Sequence, residues 1–117
     1  MRRTLIATIL VALATTALAN DREQELSKAL AYLRTSVDEV AWVKFERNNA
    51  HVGLKERPSD LRLLCATAAM NGNRAMDFGC HVWFYDTSRA ASPTTNVDLA
   101  FCECTARYGK VQDNHCH

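Results

Sequence analysis

Cys65, Cys80, Cys102, Cys104 and Cys116 constrain this 117-residue chain more than any other feature. A chain so short buries a modest core and gains from cross-links. Reduced thiols would point instead to metal or redox chemistry, so the compartment decides how they are read. The amino terminus bears on that. Arg2 and Arg3 precede an uncharged run from Leu5 to Leu18, which closes on Ala17-Leu18-Ala19. A basic start, an apolar stretch and a small-x-small end make residues 1–19 a secretory signal peptide. The run falls short of the ~20 apolar residues that cross a bilayer, and Asn20-Asp21-Arg22-Glu23 ends it. The expectation is a secreted protein, with a bacterial periplasm fitting best. Residues 20–117 would form a single secreted domain without a membrane span.

The formal charge is +1, and two of the 14 Lys and Arg residues are Arg2 and Arg3. Without them twelve basic residues face 13 acidic ones. A chain so balanced has no basic field to draw it to nucleic acid or to an anionic membrane.

In an oxidising compartment the cysteines read as disulfide candidates. Five is an odd number, so one thiol is left free or pairs with another chain. Cys65, on the inner side of a helix, and Cys80, at the start of the next strand, are natural partners. Cys102 and Cys104 stand two apart on a strand, with Cα atoms ~6.5–7 Å apart, near the limit for a bridge. They are expected to pair outwards, and Cys116 would join one of them.

Periodicity supplies the elements. From Asp21 to about Trp42, Leu26, Ala29, Leu30, Leu33, Val37 and Val40 form one helical stripe. Alternation then predicts a strand over 42–47, a turn at Asn48-Asn49 and a returning strand over 51–54. Ser59 caps a second helix that runs through Met70 and stops at Asn71-Gly72. Strands follow over 80–85 and 97–104, while the tail from Arg107 has no apolar pattern. Two helices and about four strands in mixed order predict an α+β fold, with helices packed on a small antiparallel sheet and disulfides supporting it.

No Gly-x-Ser-x-Gly elbow, His-Glu-x-x-His or Cys-x-x-Cys motif occurs, and four glycines leave no phosphate-cradling loop. His51 and His81 fall on strands with no nucleophile placed beside them. A non-enzymatic role is therefore expected. Trp83 and Tyr85 share one side of their strand, opposite Val82 and Phe84, and would anchor a protein or glycan partner if that side is open; if a helix covers it, they are core. The alternative is a metal site. Cys102, Cys104, His115, Cys116 and His117 gather thiols and imidazoles within sixteen residues, a donor set suited to zinc or copper. Cys-x-Cys is not the usual zinc spacing, and oxidation competes with ligation.

Phe45-Glu46-Arg47-Asn48-Asn49 and Ser59-Asp60-Leu61-Arg62-Leu63-Leu64 resemble the turn and helix of the YfeK-like family, small periplasmic proteins of unknown function. Asn49 stands where that family has Gly, and Asp60 where it has His. The resemblance covers the middle of the chain and implies a compartment but no chemistry. Together these readings describe a small secreted module of the cell envelope. It would bind another envelope protein or a glycan and need no cofactor, or else hold zinc or copper at its Cys-His tail.

Overall fold

A computed structural model describes residues 21–117. Residues 1–19, read above as a signal peptide, lie outside that range. Helix α1 covers 21–29 and α2 Tyr32–Thr35. Strands β1 (Val40–Glu46) and β2 (Asn49–Leu54) lead into α3 (Leu61–Met76). Then come β3 (Cys80–Asp86), a 3-10 turn (Val97–Leu99), β4 (Cys102–Arg107) and β5 (Lys110–Cys116). The strands form one sheet in the order β1-β2-β3-β4-β5. The fold is α+β, with its helices on one face of the sheet and two disulfides.

The sheet departs from the antiparallel expectation at one seam, since β2 and β3 pair in parallel. The cause is α3, because a helix between two neighbouring strands returns the chain in the same direction, whereas a hairpin reverses it. The other three pairings are antiparallel.

Residue alternation fixes the two faces. Val43 of β1, Ala50, Val52 and Leu54 of β2, Val82 and Phe84 of β3, and Cys102, Cys104 and Ala106 of β4 enter the core beneath the helices. From α1 and α2 come Leu26, Leu30 and Leu33, all fully buried. The predicted apolar stripe therefore meets the core, but the long helix is broken. It turns at residues 30–31, and β1 has begun by Val40. Thr35-Ser36-Val37 are poor helix formers, and the Ser36 N–H closes α2 by donating to the Tyr32 carbonyl.

Two more boundaries move. The hairpin turn is Arg47-Asn48, with Arg47 at φ 55° and Asn49 already in β2. Asn48 uses its side chain elsewhere, donating Nδ2–H to the Gly79 carbonyl at 2.6 Å. The 97–104 strand splits into the 3-10 turn and β4. The tail joins the sheet as β5, carried by backbone pairing with β4 rather than by apolar residues.

Helix α3 does not stop at Asn71-Gly72 but runs on to Met76, where Asp77 ends it at φ 53°. Gly72 is there for contact. A Cβ on it would meet Cys80 Sγ at 2.5 Å and Leu26 Cδ1 at 2.8 Å. Gly72→Ala should gain about 1 kcal/mol of helix propensity and lose more to overpacking. We expect a net destabilisation of about 1 kcal/mol, read from the urea midpoint. An unchanged or higher midpoint would mean that Leu26 gives way freely.

Candidate functional site

A cleft of about 660 Å³ lies where the end of α3 meets the β4–β5 turn. Its lining includes Asn48, Arg74, Asp77, Phe78, Arg107 and Tyr108. Each wall has a local cause. Asn73, buried near the end of α3, donates Nδ2–H to the Phe78 carbonyl at 2.8 Å and accepts the Gly109 N–H at 2.9 Å. One amide thus ties the helix terminus to the turn. Arg107 lies against the Gly79 backbone, where a Cβ would meet its Cγ and Nε at 2.9 Å.

The cleft is electropositive and ring-lined. Arg74 and Arg107 face a single carboxylate, Asp77, and neither guanidinium forms an ion pair among the described residues. Phe78 is 45% exposed and Tyr108 93%. Arg22 adds a guanidinium 4.4 Å from the Phe78 ring centre. Asp77 and Tyr108, both non-glycine, hold φ at 53°. Such conformations cost about 1 kcal/mol or more each and collect at functional sites. These residues escape sequence reading because three separate segments supply them. The available signal was an aromatic residue before glycine in a turn, twice over: Phe78-Gly79 and Arg107-Tyr108-Gly109.

The cysteines pair differently from the expectation. Cys65 of α3 joins Cys104 of β4, with Cα atoms 5.8 Å apart, and Cys102 joins Cys116 across β4–β5. The second bridge is one of the two expected for Cys116. Cys80 is free and buried. The Cys65–Cys80 pairing fails on distance along the helix. Cys80 packs under Gly72, two turns and ~10 Å of rise beyond Cys65.

The Cys-His metal set is split in the same way. Cys102, Cys104 and Cys116 belong to the helix side of the sheet. His115 lies on the other side, opposite Glu103, with Nε2 3.4 Å from Asp113 Oδ1. His117 stands past the end of β5, where its carbonyl accepts from Arg57 Nη1 at 2.6 Å. The sulfurs of Cys65, Cys102 and Cys104 do converge, within 4.8 Å of one another. Bonded as disulfides, they have no thiolate to offer an ion.

The aromatic face is not open where Tyr85 stands. Tyr85 is fully buried, so it cannot anchor a partner. Its ring packs 5.4 Å from that of Trp42, whose indole N–H donates to the Ala90 carbonyl at 3.0 Å and draws the 87–96 connection across this corner. Gly53, opposite Trp42, leaves room for the indole. Trp83 remains half-buried on the same side, edge-on to His81. His51 Nδ1 lies 2.7 Å from the Tyr85 hydroxyl, and both side chains are buried. Burial holds the His51 pKa below its ordinary value, against the pull of Glu46 and with help from Lys44. Burial, then Glu46, pushes the Tyr85 hydroxyl up to about 12. The pair is uncharged at neutral pH and enclosed.

No family model, curated protein or solved structure matches this chain.

Two outcomes follow from burial. A depressed histidine pKa means that the unfolded chain binds the proton more readily. The stability contributed by neutral His51 is complete above about pH 6.5 and falls away as pH drops toward its folded pKa. The urea midpoint should therefore fall between pH 7.5 and 5, and His51→Gln should flatten that slope. Equal slopes would remove His51 as the cause. Burial also pushes the Cys80 thiol up to about 12. Native protein at pH 8 should leave Cys80 unalkylated, and unfolding in urea should expose it fully.

Proposed function

We propose that this protein is a non-catalytic binding module of the cell envelope, exported by its amino-terminal segment and cross-linked in an oxidising compartment. Its binding site is the cleft at the end of α3, and its ligand carries an anionic group on a flat or apolar body. The observation that supports this most is the meeting of Arg74 and Arg107, unpaired among the described residues, with exposed Phe78 and Tyr108 on one concave surface. Guanidinium forks bind carboxylate or phosphate oxygens with direction and strength, and aromatic rings offer rigid apolar area. Partner contact thereby moves from Trp83 and Tyr85 to the opposite end of the sheet.

An amide-shift titration tests this with two anionic ring compounds, phenyl phosphate and 4-hydroxybenzoate, against neutral benzyl alcohol. Shifts should concentrate at Gly79, Tyr108 and Gly109. A charge-assisted hydrogen bond contributes about 1.5–3 kcal/mol, so the anionic probes should bind roughly tenfold more tightly or better. Arg107→Ala should erase that preference while leaving the rest of the spectrum in place. Equal response to neutral and anionic probes, or shifts elsewhere, would overturn the reading.

A further inference from the structure

Two disulfides stand side by side at the junction of α3, β4 and β5, and they differ in access. Cys65 and Cys104 are fully buried and Cys102 is nearly so. Cys116 is half-buried on β5, the last strand of the sheet. A reagent from solvent therefore meets Cys116 first. Cys102, its partner, has its sulfur within 4.8 Å of both sulfurs of the inner bond.

We propose that the two bridges form a thiol–disulfide exchange relay, with Cys116 as the entry for a dithiol reductant and Cys104 as the thiol released inside. A thiolate of the dithiol attacks Cys116 Sγ and displaces the Cys102 thiolate. The second thiol of the dithiol resolves that mixed disulfide, leaving with its own disulfide closed and Cys116 as a thiol. The Cys102 thiolate then attacks Cys65 Sγ, and the Cys104 thiolate leaves and takes a proton. Two electrons pass from the dithiol to the protein, and one protein disulfide remains, between Cys65 and Cys102. Cys65 is the target because Cys102 and Cys104, two apart on one strand, stand at the outer limit of a bridge.

The surroundings suit the leaving sulfur. Asn114 lies opposite Cys104, with its Oδ1 3.3 Å from Cys104 Sγ. The Asn114 amide is held by donating Nδ2–H to the Arg62 carbonyl, also at 3.3 Å. An acceptor thus waits for the Cys104 S–H. Cys80 stays outside the relay, under Gly72. After exchange, α3 is still tied to β4, while β5 has lost its covalent link. The relay needs no ligand in the cleft and stands apart from the binding reading.

Limiting dithiothreitol on the native protein, followed by acid quench and alkylation, isolates the one-disulfide form. Cleavage at Arg62, Arg74, Arg89, Glu103, Arg107 and Lys110 puts each of the five cysteines on its own peptide. Native exchange between neighbours should place about a tenth or more of that form as Cys65–Cys102, with Cys104 and Cys116 alkylated. A one-disulfide form that keeps only Cys65–Cys104 would overturn the relay. So would bridges that include Cys80, which mark reshuffling through unfolding. Cys116→Ser, oxidised without reductant, should show both Cys65–Cys102 and Cys65–Cys104. If that variant does not fold, the wild-type map still decides.

Discussion

Everything on the helix side of the sheet rests on how α3 lies against it. The buried face of α3 is built from Cys65, Ala68, Ala69 and Gly72, small residues that let a helix sit close to a sheet. Larger side chains come from the sheet, above all Phe84, Val82 and Val52, and from Leu26, Leu30 and Leu33 of the first helical segment. Because α3 is the crossover between two parallel strands, its direction is opposed to theirs. Its amino-terminal half therefore lies over the later part of β3 and its carboxy-terminal half over the start. That one geometric fact puts Cys65 above Cys104, Gly72 above Cys80 and Asn73 beside the β4–β5 turn. The bridge that closes, the thiol that stays free and the wall of the cleft all follow from it.

The two ends of the sheet are finished by polar groups rather than by more core. At one end, Arg57 donates Nη2–H and Nε–H to the Asp86 carboxylate at 2.7 and 3.2 Å, holds the His117 carbonyl and covers the Phe101 ring at 3.7 Å. The loop before α3, the end of β3 and the end of β5 meet on that side chain. Asp86 in turn holds the Arg57 charge and raises its pKa. At the other end, Asn73 does the corresponding work through two backbone partners. The ends differ in what they leave over. Arg57 has its carboxylate, whereas Arg74 and Arg107 have none among the described residues.

The elements legible in the sequence are those whose signal is local. The stripe of Leu26, Leu30 and Leu33 and the alternation of Val82 and Phe84 could be read without knowing what lay opposite, and Cys116 could be read as bridged, to Cys102 or Cys104 alike. The α+β class followed from their order. Long-range facts were not legible. Gly72 reads as a stop until Cys80 and Leu26 are seen against it. Tyr85 reads equally as core or as part of an open patch until Trp42 bonds the Ala90 carbonyl over it. Strand β5 has no apolar pattern because its pairing is backbone to backbone, and nothing in Lys110–Cys116 alone announces a strand. The cleft was hidden for the same reason, since its residues are scattered over the β1–β2 turn, the end of α3 and the β4–β5 turn.

Unusual backbone conformations gather at the cleft. Three non-glycine residues of the described chain have positive φ: Arg47, Asp77 and Tyr108. Asp77 and Tyr108 line the cleft, and Arg47 precede the lining residue Asn48. A turn that served only to reverse the chain would be relieved by glycine at such positions, and glycine does follow at Gly109. Placing Tyr108 rather than a second glycine there costs folding energy and leaves a ring 93% exposed. Asn73 then buries an amide to hold that turn at a fixed distance from the helix end. Strain, an exposed ring and a buried polar tie converge on one small region, beside two guanidiniums without carboxylate partners among the described residues. An anionic ligand is proposed on that convergence, since guanidinium forks and an exposed ring are the groups such a ligand would meet.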